Sequence, residues 1–296
     1  MHFFTKKLRK PVFIKTTSSL QRQLEQMQAI DRSSLADSSI SLLEHDINLV
    51  TQGLEGESRV EFQLRNSHMP MYVLRDLNLE YDGLSAQIDF LVIMRKCNFV
   101  IECKNHHGNI EIDEKGTFIQ TTKYESKGID SPVTQNERHL DLIKQICMYV
   151  GKPPSKAIFE KLFPGFWRSV IVFANPETIL FDKSAPKYIK SQVIRADALI
   201  KHLRKANKRV KQFEALGLSD KELEALASFF LDAHVEREID YAEKYRKELI
   251  NADTCPKCGG EMFLQTRRKP PPVALFWGCK AYPDCNGSRS YEETIT

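Results

Sequence analysis

The sequence QIDFLVI at residues 87–93 is followed by NFVIECK at residues 98–104. Both are short and rich in Ile, Val and Phe, and a polar stretch joins them, so we predict two neighbouring antiparallel strands. Side chains alternate between the faces of a strand, so Glu102 and Lys104 share one face while Cys103 points to the other. Cys103 is therefore expected to be a core residue.

The chemistry of this pair begins with Asp89, which stands inside an otherwise apolar strand. The right pairing register would bring its carboxylate near Glu102. Two carboxylates can hold a divalent cation while the Lys104 ammonium sits beside a phosphate, as a metal-dependent phosphodiester hydrolase needs. The backbone carbonyl of Cys103 can serve as a further metal ligand. A solvated ion pair of Glu102 and Lys104 is the plain alternative, but it leaves Asp89 unexplained.

The composition is ordinary for a soluble protein. With 296 residues, 42% hydrophobic and 28% charged, the chain can hold one substantial core and a smaller module. No apolar run approaches the roughly 18 residues of a membrane helix, which argues against a membrane protein. The basic start is followed by no long apolar stretch, unlike a secretory signal, so we expect a cytoplasmic protein with reduced thiols.

Positive charge is unevenly placed along the chain. The net charge is only +4, yet residues 201–213 hold several basic side chains and no acid. Such a run favours a polyanionic partner, although a solvated helix face produces the same pattern.

Apolar periodicity and turn signals predict the other elements. We predict helices over residues 20–30, 49–66 and 131–150, and strands over residues 71–79, 108–112, 117–122, 168–174 and 192–194. The order of helix, several strands, helix and strand is typical of an α/β domain. Residues 196–250 read as helical, with a capping box at Ser219 and Glu222 and an apolar stripe that we interpret as packing surface.

A second chemical signature lies near the end of the chain. Four cysteines form two short pairs, Cys255 with Cys258 and Cys279 with Cys285, and Gly259 supplies the flexible backbone of a metal knuckle. Four thiolates fill a tetrahedral zinc site and leave no open position, so this zinc is expected to be structural. A disulfide interpretation needs an oxidising compartment that the rest of the chain does not support.

Aromatic and basic residues surround these cysteines. Aromatic rings can stack on bases and cations can meet phosphates, so we predict DNA contacts there. The predicted DNA-binding residues are Arg267, Arg268, Lys269, Trp277 and Lys280. The alternative for the aromatic members is a small core around the zinc ion.

Several motifs together resemble a known family. GLEGESRVEFQL (53–64), AQIDFLVI, VIECKN, GNIEI and SPVTQNERHL resemble, in order and spacing, the nuclease-related domain, a branch of the PD-(D/E)XK nuclease superfamily. CPKCGGEM and FWGCKAYPDC resemble the four-cysteine zinc finger of bacterial type IA topoisomerases, a single-stranded DNA-binding module. The resemblance implies a restriction-endonuclease-like fold: a central mixed sheet flanked by helices, then a helical segment and a small zinc ribbon.

The resemblance also implies roles for five residues. Asp89 and Glu102 would ligate Mg²⁺ or Mn²⁺, Lys104 would orient or activate the attacking water, and Glu57 on the preceding helix would complete the acidic site. Gln135 would help to hold the lysine, the water or a phosphate. Because Ile88 precedes the aspartate in place of the superfamily's proline, sequence specificity cannot be inferred from restriction enzymes.

These observations predict four segments: a basic N-terminal segment (1–44), a nuclease-like domain (45–200), a helical connector (201–250) and a zinc ribbon (251–296). The predicted function is a metal-dependent DNA endonuclease or nickase acting on single-stranded or duplex DNA. A catalytically silent nucleic-acid-binding protein on a nuclease-like scaffold is the main alternative, and an RNA-directed enzyme is a third. Neither the oligomeric state nor the pathway has a signature in the sequence.

Overall fold

The two apolar stretches at residues 87–93 and 98–104 lie side by side at the centre of a six-stranded mixed sheet. They pair antiparallel, with Phe90 opposite Ile101 and Val92 opposite Phe99. Helices flank the sheet, and a small three-stranded sheet follows near the C-terminus. The predicted α/β class with a central mixed sheet is confirmed.

The structure is a computed structural model that describes residues 7–35, 37–151, 153, 155–208, 217–241, 243, 245, 254–255, 257–266 and 275–290. The chain divides into two compact units. The first comprises Met1–Ser18, Glu55–Gln120 and Gly128–Arg237, and the second comprises Ser19–Leu54, Thr121–Lys127 and Glu238–Thr296.

The strands of the described chain are β1 Pro11–Lys15, β2 Met71–Tyr81, β3 Leu84–Ile93, β4 Asn98–Lys104, β5 Asn109–Ile112, β6 Phe118–Thr121, β7 Ser126–Ile129, β8 Trp167–Phe173, β9 Leu180–Phe181, β10 Val193–Arg195, β11 Met262–Thr266, β12 Leu275–Cys279 and β13 Ser288–Ser290. The helices are α1 Ser19–Gln28, α2 Asp37–Arg65, α3 Pro132–Tyr149, α4 Lys156–Phe166, α5 Lys187–Lys190, α6 Leu199–Lys208 and α7 Asp220–Asp232. Short 3₁₀ turns cover Arg32–Ser34 and Ala196–Ala198.

The main sheet has the order β1-β2-β3-β4-β8-β10. The contiguous strands β2, β3 and β4 are antiparallel, whereas β8 runs parallel to β4 with Lys104 opposite Phe173. Helices α3 and α4 make the crossover between β4 and β8, as a parallel connection requires. A second sheet has the order β7-β6-β5-β9.

Two apolar clusters cover the two faces of the main sheet. On one face Val60 and Leu64 of α2 and Leu203 of α6 pack on β2, β3, β4 and β8. On the other face the contacts come from α3, α4 and α7, with Ile143 and Phe230 fully buried. The helices that bear residues 57 and 135 therefore pack on opposite sides of the strands that bear the acids.

The described residues between 151 and 237 contribute to these cores. They supply β8 and β10 to the sheet and α7 to the second cluster. The predicted capping box of α7 is confirmed, since the Ser219 side chain accepts from Glu222 N–H and the Glu222 side chain reaches back to the Ser219 backbone. The basic run at 201–213 is described only to Lys208, and Lys201 and Lys205 of α6 are exposed.

The second unit has an apolar core of its own. Met27 of α1, Leu43 of α2 and Tyr245 are fully buried there, and Leu264 and Leu275 from the C-terminal sheet pack with them. The Tyr245 hydroxyl donates to an Asp46 carboxylate oxygen at 3.1 Å. Among the described helices of either unit, none is long and apolar enough to cross a membrane.

The central strand β3 offers a matched test of this packing. Leu91 is fully buried, whereas Leu84 on the same strand is 52% exposed. We expect Leu91→Ala to lower the free energy of unfolding by about 2–5 kcal/mol, because it removes buried methylenes and leaves a cavity. Leu84→Ala should change it by only about 0.5 kcal/mol or less. Urea unfolding followed by circular dichroism measures both, and equal losses would contradict the assigned burial.

Candidate active site and zinc ribbon

Lys104 is the hub of a small polar group at the end of β4. Its Nζ lies 2.7 Å from Glu102 Oε1 and donates to Gln135 Oε1 at 2.9 Å. Gln135 stands in the first turn of α3, whose start is set by Ser131 accepting from Thr134 N–H. The structure therefore brings together a carboxylate, an ammonium and an amide from two elements.

Asp89 reaches this group from the neighbouring strand. Extending the β3–β4 register by one residue puts Asp89 opposite Glu102, and its Oδ2 accepts a hydrogen bond from Cys103 N–H at 2.7 Å. Burial raises the pKa of Asp89 well above its usual range, and the Glu102 and Glu57 carboxylates raise it further. The Cys103 N–H and the Lys104 ammonium lower this pKa only in part, and a bound metal ion would relieve the remaining cost of ionising Asp89.

The second oxygen of Glu102 is unpaired. Glu102 Oε2 is buried without a hydrogen-bond partner, and so is His139 Nδ1, which lies 3.7 Å from it. Burial, with Lys104 and Arg138 nearby, lowers the pKa of His139 to about 4, so the imidazole is neutral at pH 7. Glu102 Oε2 and His139 Nδ1 are thus two neighbouring buried polar atoms near Lys104, and neither has a hydrogen-bond partner.

Glu57 is held by a different partner. Its Oε2 accepts from Arg75 Nη2 at 2.8 Å and from Arg75 Nε at 3.0 Å, and Arg75 also donates to Glu61 at 2.7 Å. Burial raises the pKa of Glu57 despite this arginine. Helix α2 comes close to β4 here because Gly56 has no side chain: a Cβ would lie 2.7 Å from Asn105 Cβ.

A strained residue lies across from Asp89. Asp76 sits between the registered pairs Arg75–Phe90 and Leu77–Ile88, and its φ of 52° is uncommon for a residue with a side chain. Lys15 Nζ donates to its carbonyl at 2.7 Å, and Gln87 Nε2 donates to its carboxylate at 2.8 Å. Such strain persists only where neighbours hold it, and here a buried lysine and an amide do so.

Cys103 is placed as predicted, with its side chain packed against the cluster that contains Phe99 and Ile101. Burial, followed by the Asp89 and Glu57 carboxylates, raises the pKa of the Cys103 thiol well above its ordinary value. The thiol is therefore neutral and is not an activated nucleophile. The role of its backbone carbonyl as a metal ligand stays a prediction.

The donor set suits a hard divalent cation. Carboxylate oxygens are the ligands that Mg²⁺ and Mn²⁺ prefer, and Glu102 Oε2 is a buried oxygen with no other partner. Among the described residues, one group of metal-ligand side chains, the four ribbon cysteines, has all its donor atoms within 4.8 Å of one another. Glu57, Asp89 and Glu102 do not converge that tightly.

The four ribbon cysteines form a preorganised metal site. Cys255 and Cys285 sulfurs are 3.7 Å apart and Cys258 and Cys279 sulfurs are 3.5 Å apart. A zinc tetrahedron with Zn–S bonds of about 2.3 Å needs sulfurs about 3.8 Å apart. Backbone N–H groups of Lys257 and Ala281 donate to the Cys255 and Cys279 sulfurs, each at 3.4 Å, and the first knuckle turns through Gly259 at a φ of 70°.

The ribbon's predicted DNA-binding residues have different surroundings. Trp277 is only 2% exposed and packs with Cys255, Met262 and Cys279, so its ring belongs to the core around the metal site in this conformation. Lys280 is exposed and lies 2.5 Å from Glu261. Arg267, Arg268 and Lys269 lie outside the described residues.

Two family models match the parts of the chain that hold these two sites. The family model of the nuclease-related domain matches residues 52–174, a span that contains Glu57, Asp89, Glu102, Lys104 and Gln135. The model of the topoisomerase DNA binding C4 zinc finger matches residues 252–294. The chain contains a nuclease-related domain and a topoisomerase-type C4 zinc finger. No curated protein and no solved structure shows significant similarity to the chain.

Within the nuclease-related domain, the structure groups Glu102, Lys104 and Gln135 by direct contact and links Asp89 to them through Cys103 N–H. Glu57 is paired with Arg75 instead. The roles of all five predicted residues stay predictions.

Sequence reasoning missed Arg75 and Asp76. Both are charged residues inside the apolar strand β2, and a charged residue inside an apolar strand is the signal that singled out Asp89. His139 lies one turn after Gln135 on α3, but its place beside Glu102 depends on how α3 packs on the sheet.

The raised pKa of Asp89 predicts that removing its charge stabilises the folded protein, by an amount that depends on pH. Because its pKa is raised in the folded protein, its ionised form is tolerated better in the unfolded chain, and stability is lost as the pH rises above the unfolded value of about 3.9. Without divalent cations, Asp89→Asn should therefore raise the melting temperature at pH 7, and this gain should vanish below about pH 4. Asp141→Asn, an exposed site on α3, should show no such gain at pH 7; a destabilised Asp89→Asn protein would contradict the assignment.

The thiol geometry predicts about one zinc ion per chain. Cys258→Ser should reduce the zinc content measured by plasma mass spectrometry to near zero, because a tetrahedral thiolate site tolerates the loss of a ligand poorly. Cys147→Ser removes a half-buried thiol outside the ribbon and should leave the zinc content unchanged. Full zinc occupancy in the Cys258→Ser protein would refute the assigned ligand set.

Proposed function

We propose that this protein is a divalent-metal-dependent DNA endonuclease or nickase that hydrolyses phosphodiester bonds. One observation carries the proposal: Asp89, Glu102, Lys104 and Gln135 form one polar group, partly shielded from water, in which the buried Glu102 Oε2 has no hydrogen-bond partner. Carboxylates that repel one another in a buried site are costly unless a cation joins them, so a purely structural role explains this group poorly. The match to the nuclease-related domain supports the same reaction class.

Each residue of the group has a distinct role in the proposed reaction. Asp89 and Glu102 would hold Mg²⁺ or Mn²⁺, with the Cys103 carbonyl as a further ligand. When bound, this cation would supply Lewis-acid chemistry that activates the attacking water. Lys104 orients the attacking water and stabilises the charge that develops on the phosphate, because its ammonium is fixed between Glu102 and Gln135. Gln135 keeps Lys104 in that position.

Glu57 acts in this proposal from the opposite side of the sheet. Arg75 neutralises part of the Glu57 charge. In this proposal Glu57 therefore acts mainly through its electrostatic effect on Asp89, and not as a third direct metal ligand. Arg75 is thus a positioning residue that keeps the acidic site from carrying an uncompensated third carboxylate.

The zinc ribbon supplies the contact with DNA in this proposal. Lys280 and Tyr282 are exposed beside the thiols, at 60% of the Lys280 side chain and 73% of Tyr282, and can meet phosphates and bases. The zinc ion keeps these residues in place and takes no part in hydrolysis. Single-stranded and duplex DNA are both within the proposed substrate class, and the protein is proposed to act in the cytoplasm.

A second candidate function has an observation of its own in its favour. The bidentate Arg75 contact occupies Glu57, and the three carboxylates do not form a tight ligand group. A nuclease-like scaffold that binds nucleic acid without cutting it would have such a site. The cleavage assay below separates the two functions.

Cleavage of supercoiled plasmid in Mg²⁺ or Mn²⁺ tests the proposal directly. We expect the purified protein to nick or linearise the plasmid, and we expect Asp89→Ala and Lys104→Ala to lower the rate by about 100-fold or more. Lys115→Ala, at an exposed lysine outside the site, should cleave like the wild type. Gel quantification over time gives the rates.

The controls decide between the remaining interpretations. Unchanged cleavage by the Asp89→Ala and Lys104→Ala proteins would point to a contaminant or another site and would contradict the proposal. Binding of DNA without cleavage by the wild type in either metal would favour the scaffold function. Single-stranded DNA, duplex DNA and RNA tested in parallel identify the polymer.

A further inference from the structure

A cleft opens in the first unit where β4 ends beyond Lys104. Its volume is about 340 Å³, within the range of small-ligand sites. Ala174 forms part of its wall, and Ala174 N–H donates to the Lys104 carbonyl at 2.8 Å. The cleft is therefore joined through a backbone hydrogen bond to the residue proposed to act on the phosphate.

One wall of the cleft presents an aromatic ring to solvent. Phe62 of α2 is 64% exposed, more than any other phenylalanine in the described chain. Phe173 also lines the cleft and is buried. A ring left in water has no packing role of its own, but it offers a flat apolar face at the edge of a concave site.

Two arginines frame the same cleft. Arg59, one turn before Phe62 on α2, donates to Asn105 Oδ1 at 2.9 Å, so it is tied to the residue that follows Lys104. The Arg195 guanidinium is held by the carbonyls of Pro176 and Thr178. Glu55 lies 3.3 Å from Arg59 and Asp197 lies 3.5 Å from Arg195, yet both cations remain partly exposed.

We propose that this cleft binds an unstacked nucleobase next to the phosphate that is cut, with Phe62 stacking on the base and Arg59 contacting the adjoining phosphate. This inference rests on the proposed function for its ligand. A base inside a duplex is stacked on both faces, so the cleft selects single-stranded or locally unpaired substrate. The aromatic face gives affinity without reading the base sequence.

Equilibrium binding to two oligonucleotides tests this proposal. Fluorescein-labelled dT12 and an abasic strand of the same length carry equal phosphate charge and differ only in their bases. Anisotropy is measured with the full chain and no added Mg²⁺ or Mn²⁺, so that both strands stay intact. Phe62→Ala should weaken dT12 binding about tenfold or more, because stacking on one aromatic is worth that factor, and should leave abasic-strand binding unchanged.

Phe181→Ala is the matched control, since Phe181 is 50% exposed and lies outside the cleft. It should leave the affinity for both strands unchanged. Equal weakening of both strands by Phe62→Ala, no weakening of either, or the same loss with Phe181→Ala would each overturn the base-binding assignment.

The readout is independent of cleavage. If the protein does not cut DNA but shows the base-dependent effect of Phe62, the hydrolase proposal is wrong and the base-binding proposal stands. If the protein cuts DNA but shows no such effect, the hydrolase proposal stands and the base-binding proposal is wrong.

Discussion

The mutual repulsion of two carboxylates, one buried and one half-buried, is the constraint on which the candidate site depends. Asp89 and Glu102 come from adjacent strands, and the pKa of Asp89 is raised by burial and by its acidic neighbours. The surrounding residues supply only part of the compensation: a lysine for one acid and a backbone N–H for the other. The proposed Mg²⁺ or Mn²⁺ would relieve the rest of this repulsion, and perturbed pKa values of this kind are found most often at functional sites.

The support of that site is spread over both faces of the sheet. Helix α3 holds Lys104 through Gln135, while α2 places Glu57 in an ion pair with Arg75. Lys15 holds the carbonyl of Asp76 and so secures the strained backbone across from Asp89. The acids themselves stand on strands, whose positions are set by the ladder and the core. Rigid elements of this kind place catalytic groups more accurately than loops do.

Much of the fold could be read from local patterns. The strands at 71–81, 84–93 and 98–104 and helix α3 follow from alternation, apolar runs and turn signals, and all lie within a few residues of prediction. Helix α2 extends further back than predicted, to Asp37, because Leu42 and Leu43 are buried against partners from elsewhere in the second unit. The short strand β1 was missed, since five residues at a sheet edge carry little periodicity and are held by pairing with β2.

For the site, the candidate chemical groups could be recognised before the fold was known: an aspartate in an apolar strand, a glutamate and a lysine on one strand face, and four thiols at zinc spacing. These depend on residue type and on separations of a few residues, which strand and knuckle geometry convert directly into distance. Three other features required the packed fold: Arg75 pairs with Glu57, His139 faces Glu102, and Trp277 is buried. Each of these depends on how distant elements pack, and packing is settled by the whole core rather than by any local pattern.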